Sequence, residues 1–319
     1  MPSLDVVTFG ETMIRLSPPA HGRLEDTATL DMRIGGSESN MAVALSQLGR
    51  TVSWWSKLPD NPLGRRIASD IRRRGVDTAH VVWTGSGRVG TYYIEFGTPP
   101  RPHSITYDRA GSVASTIEPA DFEWRCLEDF RHLHLTGITA ALSESCRETV
   151  LHAAREAKER GLSVSLDVNY RRKLWPPDRA GQALSEIMPH LDLLLCADGD
   201  ATEVFGITGD PSKIAEGLRD KYGVRSIVVT AGLTGAVGIH DNSRFSVSAI
   251  EALEVDRVGS GDAFDAGVLD GFLDADPERG MKYGVAMAAL KRTMPGDELI
   301  ATRAEIEELL AGAGLGIRR

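Results

Sequence analysis

An α/β fold, a mostly parallel sheet between layers of helices, is what this sequence predicts. Short aliphatic and β-branched runs alternate with amphipathic helical patterns through most of the chain, the rhythm of strand–helix–strand units. The run Leu191 to Cys196 is apolar at every position but Asp192, as suits a strand buried on both faces. Two segments, Glu11 to Ile34 and Val81 to Arg109, break the rhythm with alternating residues and turn formers, and predict a small accessory sheet.

In chain order, Val6 to Phe9 gives the first strand. Ser39 to Leu48 predicts a helix with Met41, Ala44, Leu45 and Leu48 on one face and Gly49 as its stop. Val52 to Leu58 is a strand, and Gly64 to Arg74 a basic helix ended by Gly75. Thr91 to Phe96 and Ser104 to Arg109, rich in aromatic and β-branched residues, flank Gly97-Thr98-Pro99-Pro100 and predict a hairpin. With segments of about 11–34 and 88–112 it forms a lid over the C-terminal edge of the main sheet, where inserts build ligand sites.

The main pattern then resumes. Leu133 to Leu135 is a short strand, and Ser145 to Arg160 a helix with Ser145 and Glu148 as a capping box and Gly161 as its stop. Ser163 to Val168 is a strand, Ala180 to Met188 a helix, and Asp210-Pro211 opens another by cap and first-turn proline. Ser226 to Val229 is a strand; Ala263 to Leu273, Pro277 to Arg292 and Arg303 to Leu310 are helices, the last capped by Thr302 and Glu305. The tail after Ala311 reads as frayed. No repeat, low-complexity tract or linker interrupts the chain, so residues 1–319 read as one domain.

Totals exclude several functions. No apolar stretch approaches the roughly 18 residues that span a bilayer, and none opens the chain as a signal peptide would. Cys126, Cys146 and Cys196 are odd in number and lack metal-ligand spacing, which predicts reduced thiols in the cytoplasm. A net charge of -9 argues against nucleic acid or an anionic membrane as partner.

Gly259-Ser260-Gly261-Asp262-Ala263-Phe264 carries the chemistry. Its glycines and serine allow a tight turn that aims several N–H groups at one point where a helix begins, an anion site. A carboxylate there, Asp262, suits a base that takes a proton from a hydroxyl attacking a phosphoryl group; the plainer reading is a glycine turn with an aspartate cap. Gly35-Gly36-Ser37-Glu38-Ser39-Asn40 precedes a helix in the same way, and Asn40 offers a donor and an acceptor to sugar hydroxyls. Asp167-Val168-Asn169-Tyr170-Arg171 closes a strand; in a parallel sheet these three segments emerge on one edge. Gly85-Ser86-Gly87-Arg88-Val89-Gly90 matches the dinucleotide fingerprint, but strand-like Thr91 to Ile94 follows where that site needs a helix. It reads as a loop, which leaves an NAD-dependent oxidoreductase without support.

The segments Gly35-Gly36 to Ala42, Thr230-Ala231-Gly232-Leu233-Thr234-Gly235 and Asp256 to Phe264 stand in the order and spacing of the ribokinase-like (PfkB) carbohydrate kinases, which this chain resembles over nearly its whole length. The resemblance implies a three-layer α/β/α fold with a β-sheet lid, and transfer of the ATP γ-phosphoryl group to a sugar hydroxyl with Mg²⁺. It is strongest to the 2-dehydro-3-deoxygluconate kinase branch: Gly10-Glu11, Ile14 to Pro18, Tyr93, Tyr107, Arg109, Asp167-x-Asn169-x-Arg171-x-x-Leu174-Trp175 and Pro295-Gly296-Asp297 carry it.

That implies a substrate site of Gly36, Asn40, Tyr93, Tyr107, Arg109, Asn169, Arg171, Asp262 and Asp297, with Arg109 and Arg171 gripping the acid sugar's carboxylate. It implies Asp262 as base with the Gly259, Ser260 and Gly261 turn as anion hole, and ATP on Thr230, Gly232, Gly235, Gly259 and Gly261. Ala286, Ala288 and Ala289 would border adenine or pack a helix. The family's Asn-x-x-Glu metal segment appears as Ala197-Asp198-Gly199-Asp200, so the metal ligands stay open between water, Glu203 and a shifted alignment. A kinase for a neutral sugar (ribose, fructose) or a nucleoside, and a catalytically silent sugar-binding protein, remain alternatives. Pairing of lid strands between subunits, giving a dimer or higher homo-oligomer, completes the expectation.

Overall fold

The structure, a computed structural model, describes residues 4–19, 22–98 and 100–312; the tail expected to fray lies almost wholly outside them. Among the described residues are the strands β1 (Leu4–Phe9), β2 (Met13–Ser17), β3 (Asp31–Gly35), β4 (Val52–Pro59), β5 (Val81–Thr84), β6 (Thr91–Glu95), β7 (Ser104–Asp108), β8 (Phe130–Thr136), β9 (Ser163–Asp167), β10 (Leu193–Ala197), β11 (Ser226–Thr230), β12 (Ala236–His240) and β13 (Ser243–Val247). The helices are α1 (Ser37–Gln47), α2 (Pro62–Arg73), α3 (Gly137–Ala141), α4 (Glu144–Glu159), α5 (Pro177–Ile187), α6 (Asp198–Phe205), α7 (Pro211–Tyr222), α8 (Ser260–Leu273), α9 (Pro277–Arg292) and α10 (Arg303–Leu310).

Nine strands form one sheet in the order β13-β12-β11-β10-β9-β8-β1-β4-β5. It is parallel from β11 to β5, and β12 and β13 close one edge antiparallel. The α4, α5 and α7 side chains pack one face around Leu133, Val164 and Leu194; α1, α2, α8 and α9 pack the other around Val6, Trp54 and Leu195. Because both faces are covered, central strands are apolar on both, which is what made them readable.

The lid is a separate four-stranded sheet, β3-β2-β6-β7. The expected hairpin is there as β6 and β7, with Tyr92 opposite Tyr107. Strand β6 follows the Gly85 turn, so the fingerprint lacks its helix.

Some boundaries and elements differ from expectation. The capping box at Ser145 does not form; Ser143 caps α4 by accepting from the Cys146 N–H, and the helix begins one residue earlier. Helix α5 starts at Pro177 rather than Ala180, with proline in its first turn. Strands β12 and β13 and helices α3 and α6 had no periodic signal, being five to eight residues long.

Candidate active site

Parallel strands put their C-terminal ends on one edge, so the segments after β1, β8, β9, β10 and β11 converge there. Gly259 takes a left-handed conformation, φ 84°, and α8 begins at Ser260. A Cβ at Gly259 would lie 1.9 Å from the Asp297 carbonyl oxygen, so this turn requires glycine twice over. The Ser260 N–H is spent on the Arg257 carbonyl at 3.2 Å. The N–H groups of Gly261 and Asp262 lie in the first helical turn and have no carbonyl behind them within the helix. The anion hole is thus narrower than the sequence implied: Ser260 does not donate its N–H to it.

Asp262 faces the start of α1. Its Oδ1 accepts from Ser37 Oγ at 2.6 Å and its Oδ2 from Asn40 Nδ2 at 2.7 Å. Ser37 and Asn40 are three apart on one helix, which puts both side chains on one face. Asn169, at the end of β9 with φ 40°, donates its Nδ2 to Ser37 Oγ at 3.0 Å. Burial raises the Asp262 carboxyl above the ordinary aspartate value, while the Asn40 and Ser37 donors and the nearby Arg171 and Lys291 charges pull it back.

Glu38 lies beneath, fully buried, accepting on Oε1 from the Thr136 and Thr139 hydroxyls, with Oε2 unpartnered. Burial pushes its carboxyl up to about 7. Asp167 rises to about 7 for the same reason, and burial, with the Asp167 charge adding to it, holds Asp265 beside it on α8 well above the ordinary aspartate value.

On the lid, alternation decides which residues look inward. Tyr92 and Tyr107 are cross-strand partners stacked at 5.8 Å, and the Arg109 guanidinium lies 5.8 Å from the Tyr107 ring on the same side. Tyr93 pairs with Thr106 on the opposite face. The expectation for Tyr93 is therefore corrected: the tyrosine sharing a face with Tyr107 and Arg109 is Tyr92. Lys173, from the loop after β9, donates to the Ile105 carbonyl at 3.1 Å and lies 5.8 Å from the Tyr107 ring.

Arg109 is already half committed. Its Nε and Nη2 both go to Glu11 Oε2, and Ser112 Oγ donates to Glu11 Oε1. The side edge of the guanidinium is thus spent on Glu11, and the outer N–H groups of Nη1 and Nη2 are left to face a ligand. Arg171 is exposed and donates Nη1 to its neighbour's Tyr170 carbonyl at 3.1 Å. Asp297 differs from expectation too: it is buried, with Oδ1 on Arg15 and Oδ2 on the Tyr92 hydroxyl, so both carboxylate oxygens already have partners within the protein. Gly36 caps α1 in extended backbone, and a Cβ there would meet the Glu11 carbonyl oxygen at 2.3 Å.

Thr230 ends β11, and Gly232 (φ 54°) and Gly235 (φ 118°) shape the turn after it, closed by Ala231 N–H to the Gly235 carbonyl at 2.9 Å. Ala286 and Ala289 are buried in α9, the packing role. In the segment expected to touch metal, Asp200 accepts from the Tyr170 N–H at 2.9 Å and Glu203 from Arg172 Nε at 2.9 Å. Among the described residues no three His, Cys, Asp or Glu side chains are grouped to hold a metal ion.

Missed by the sequence reading were Ser37, Tyr92, Lys173 and Glu11. Ser37 had a signal in its spacing to Asn40; Tyr92 needed strand register, and Glu11 a contact 98 residues away.

With this geometry in place, comparison with known proteins is direct. Residues 3–302 match the model of the pfkB family carbohydrate kinases. A 2-dehydro-3-deoxygalactonokinase of Haloferax volcanii is 42% identical, the match covering 99% of each chain. A 2-dehydro-3-deoxygluconokinase of Bacillus subtilis is 30% identical, covering 97% of this chain and 96% of its own. The crystal structure of a Thermotoga maritima 2-dehydro-3-deoxygluconokinase superimposes with TM-score 0.92 at 34% identity, over 97% of this chain and 98% of its own. No helix among the described residues is long and apolar enough to cross a membrane.

Proposed function

The chain belongs to the pfkB family of carbohydrate kinases, and from that premise we propose that it phosphorylates the terminal hydroxyl of 2-dehydro-3-deoxy-D-gluconate with ATP. The observation that carries this reading is the seat of Asp262, a carboxylate held by Ser37 and Asn40 in the first turn of α8, beside N–H groups suited to phosphate. Support for an acid sugar comes from Arg109 and Lys173 around Tyr107, from the exposed Arg171 in the loop after β9, and from the two acid-sugar kinases among its relatives.

In the mechanism, the sugar lies between the lid's Tyr107 face and the Gly36–Asn40 turn, its carboxylate toward Arg171 and Arg109 Nη1. Asn40 and Asn169 orient it. Asp262 takes the proton of the terminal hydroxyl as that oxygen bonds to the γ-phosphorus and the bond to the β–γ bridging oxygen breaks. The Gly261 and Asp262 N–H groups face the charge spreading over the γ-oxygens, and ADP leaves across the Thr230–Gly235 turn. Mg²⁺ belongs to this reading as part of the nucleotide substrate, where it would neutralise phosphate charge. A cytoplasmic location accords with ATP as substrate. Edge strands β3 and β7 of the lid, with Met32 exposed, suit pairing with a second copy, which the mass in solution tests.

The experiment is an ADP-release assay with ATP, Mg²⁺ and a panel: the gluconate and galactonate acid sugars, ribose, fructose and a nucleoside. Acid sugars should exceed neutral ones in kcat/KM by about a hundredfold or more, and Arg171→Leu should remove most of that advantage. Equal turnover of a neutral sugar would move the assignment to that sugar, and background ADP with every sugar would leave a sugar-binding protein.

A further inference from the structure

Behind the Gly259 turn lies a buried, charge-balanced cluster. Arg15, on lid strand β2, is 1% exposed. Its Nη2 donates to Asp256 Oδ2 at 2.6 Å and its Nη1 to Asp297 Oδ1 at 2.5 Å. Tyr92, on lid strand β6, donates its hydroxyl to the other Asp297 oxygen at 2.5 Å. Lys291, fully buried at the end of α9, donates Nζ to the main-chain oxygens of Asp256 at 2.9 Å and Met294 at 3.2 Å. Two positive and two negative side chains are thus out of water together, an arrangement that costs desolvation energy and holds only when every partner stays in place.

The cluster sits where the lid and the phosphate end of the site meet. Asp256 receives the N–H groups of Val258 at 3.1 Å and Gly296 at 2.9 Å, so its carboxylate shapes the segment leading into the turn. The turn in turn rests on residue 297, since a Cβ on Gly259 would collide with the Asp297 carbonyl. Arg15 therefore grips both walls of the Gly259 turn, Asp256 on one side and Asp297 on the other, from inside the lid. Tyr92, whose ring stacks on Tyr107, holds the Asp297 wall from strand β6 as well.

We propose that Arg15 is a positioning residue for phosphoryl transfer: by clamping Asp256 and Asp297 it fixes the anion-binding turn relative to the sugar-facing lid, so that hydroxyl and γ-phosphoryl group meet in line. Displacement of reacting groups by about 1 Å costs on the order of a hundredfold in rate, without removing any group that binds either substrate. The inference rests on the kinase reading but not on the choice of sugar.

Steady-state kinetics of the full chain test it, using whichever sugar the panel selects, so a failed acid-sugar assignment leaves the measurement intact. Arg15→Gln combined with Asp297→Asn keeps the buried charge balanced. It should lower kcat about a hundredfold while KM for sugar and for ATP each stay within about threefold. Tyr92→Phe, a milder change that leaves every charge paired, should lower kcat about three- to tenfold with both KM values within twofold, and Tyr93→Phe should match wild type. If the double variant does not fold, the Tyr92→Phe result decides. A folded double variant with kcat within threefold of wild type, a loss confined to KM, or a Tyr92→Phe enzyme indistinguishable from Tyr93→Phe would overturn the proposal.

Discussion

Replacing Ser37 by alanine should move the acid limb of the kcat/KM profile upward in pH. The carboxylate of Asp262 accepts two short hydrogen bonds, from Ser37 at 2.6 Å and Asn40 at 2.7 Å. Hydrogen bonds to a charged acceptor contribute about 1.5–3 kcal/mol, and each pKa unit corresponds to about 1.4 kcal/mol. Losing one donor to the charged form thus favours protonation by about one to two units. Asp262 is partly open to the cleft, and water entering the space left by the hydroxyl brings the shift to the lower end, roughly one unit. Burial already holds this carboxyl above the ordinary 3.8, so the wild-type limb lies above that value and the variant's about one unit higher. The base acts as carboxylate, so activity falls as pH drops through its pKa. The assay is ADP release at limiting sugar between pH 4 and 9, because kcat/KM reports groups of the free enzyme. Ser37 is a partner of Asp262 and Asn169 rather than a proposed sugar ligand, so the plateau should change much less than the limb. A limb that stays within about 0.3 unit of wild type would refute the reasoning and point to Glu38 or Asp167, both near 7.

Other outcomes follow from the same contacts. Glu38→Gln should raise stability at alkaline more than at acid pH: the folded carboxyl rises from 4.5 to about 7, so the folded state loses about 3 kcal/mol as pH climbs across that interval and stays at that level above it. Thermal melts of both proteins should therefore diverge between about pH 4.5 and 7, and a pH-independent difference would contradict a buried, proton-holding Glu38. Glu11→Gln should weaken acid-sugar binding through Arg109, whose guanidinium it orients; a charge-assisted pair of about 1.5–3 kcal/mol gives a KM roughly ten- to a hundredfold higher. An unchanged KM would separate Arg109 from the substrate.

Much of this molecule was legible because its signals are local. A central strand such as Leu193–Ala197 reads as apolar, and a turn such as Gly259–Asp262 reads as glycine, whatever lies elsewhere in the chain. Local signals also fixed the dismissal of the Gly85 fingerprint, since strand β6 depends on the aromatic run after it. Choosing between Tyr92 and Tyr93 failed for a physical reason: one step of register turns a side chain to the other face, and neighbouring tyrosines carry the same hydrophobic signal. Asp297 was placed on the substrate because it stands in a family motif, whereas its partner Arg15 lies 282 positions earlier. No pattern in either segment announces that pairing. Arg109 was recognised, but Glu11, which takes two of its nitrogens, was not, and that contact decides how much of the guanidinium remains for a ligand.

The central claim is that Asp262 removes the proton of the attacking hydroxyl, and Asp262→Asn tests it most directly. The amide keeps the shape and a hydrogen bond to Ser37 while removing the base. With the best sugar of the panel, kcat should fall by roughly two to four decades, the usual worth of a general base, with KM for sugar and ATP near wild type and the acid limb gone from the pH profile. Turnover within about tenfold of wild type, with the acid limb still present, would contradict the account.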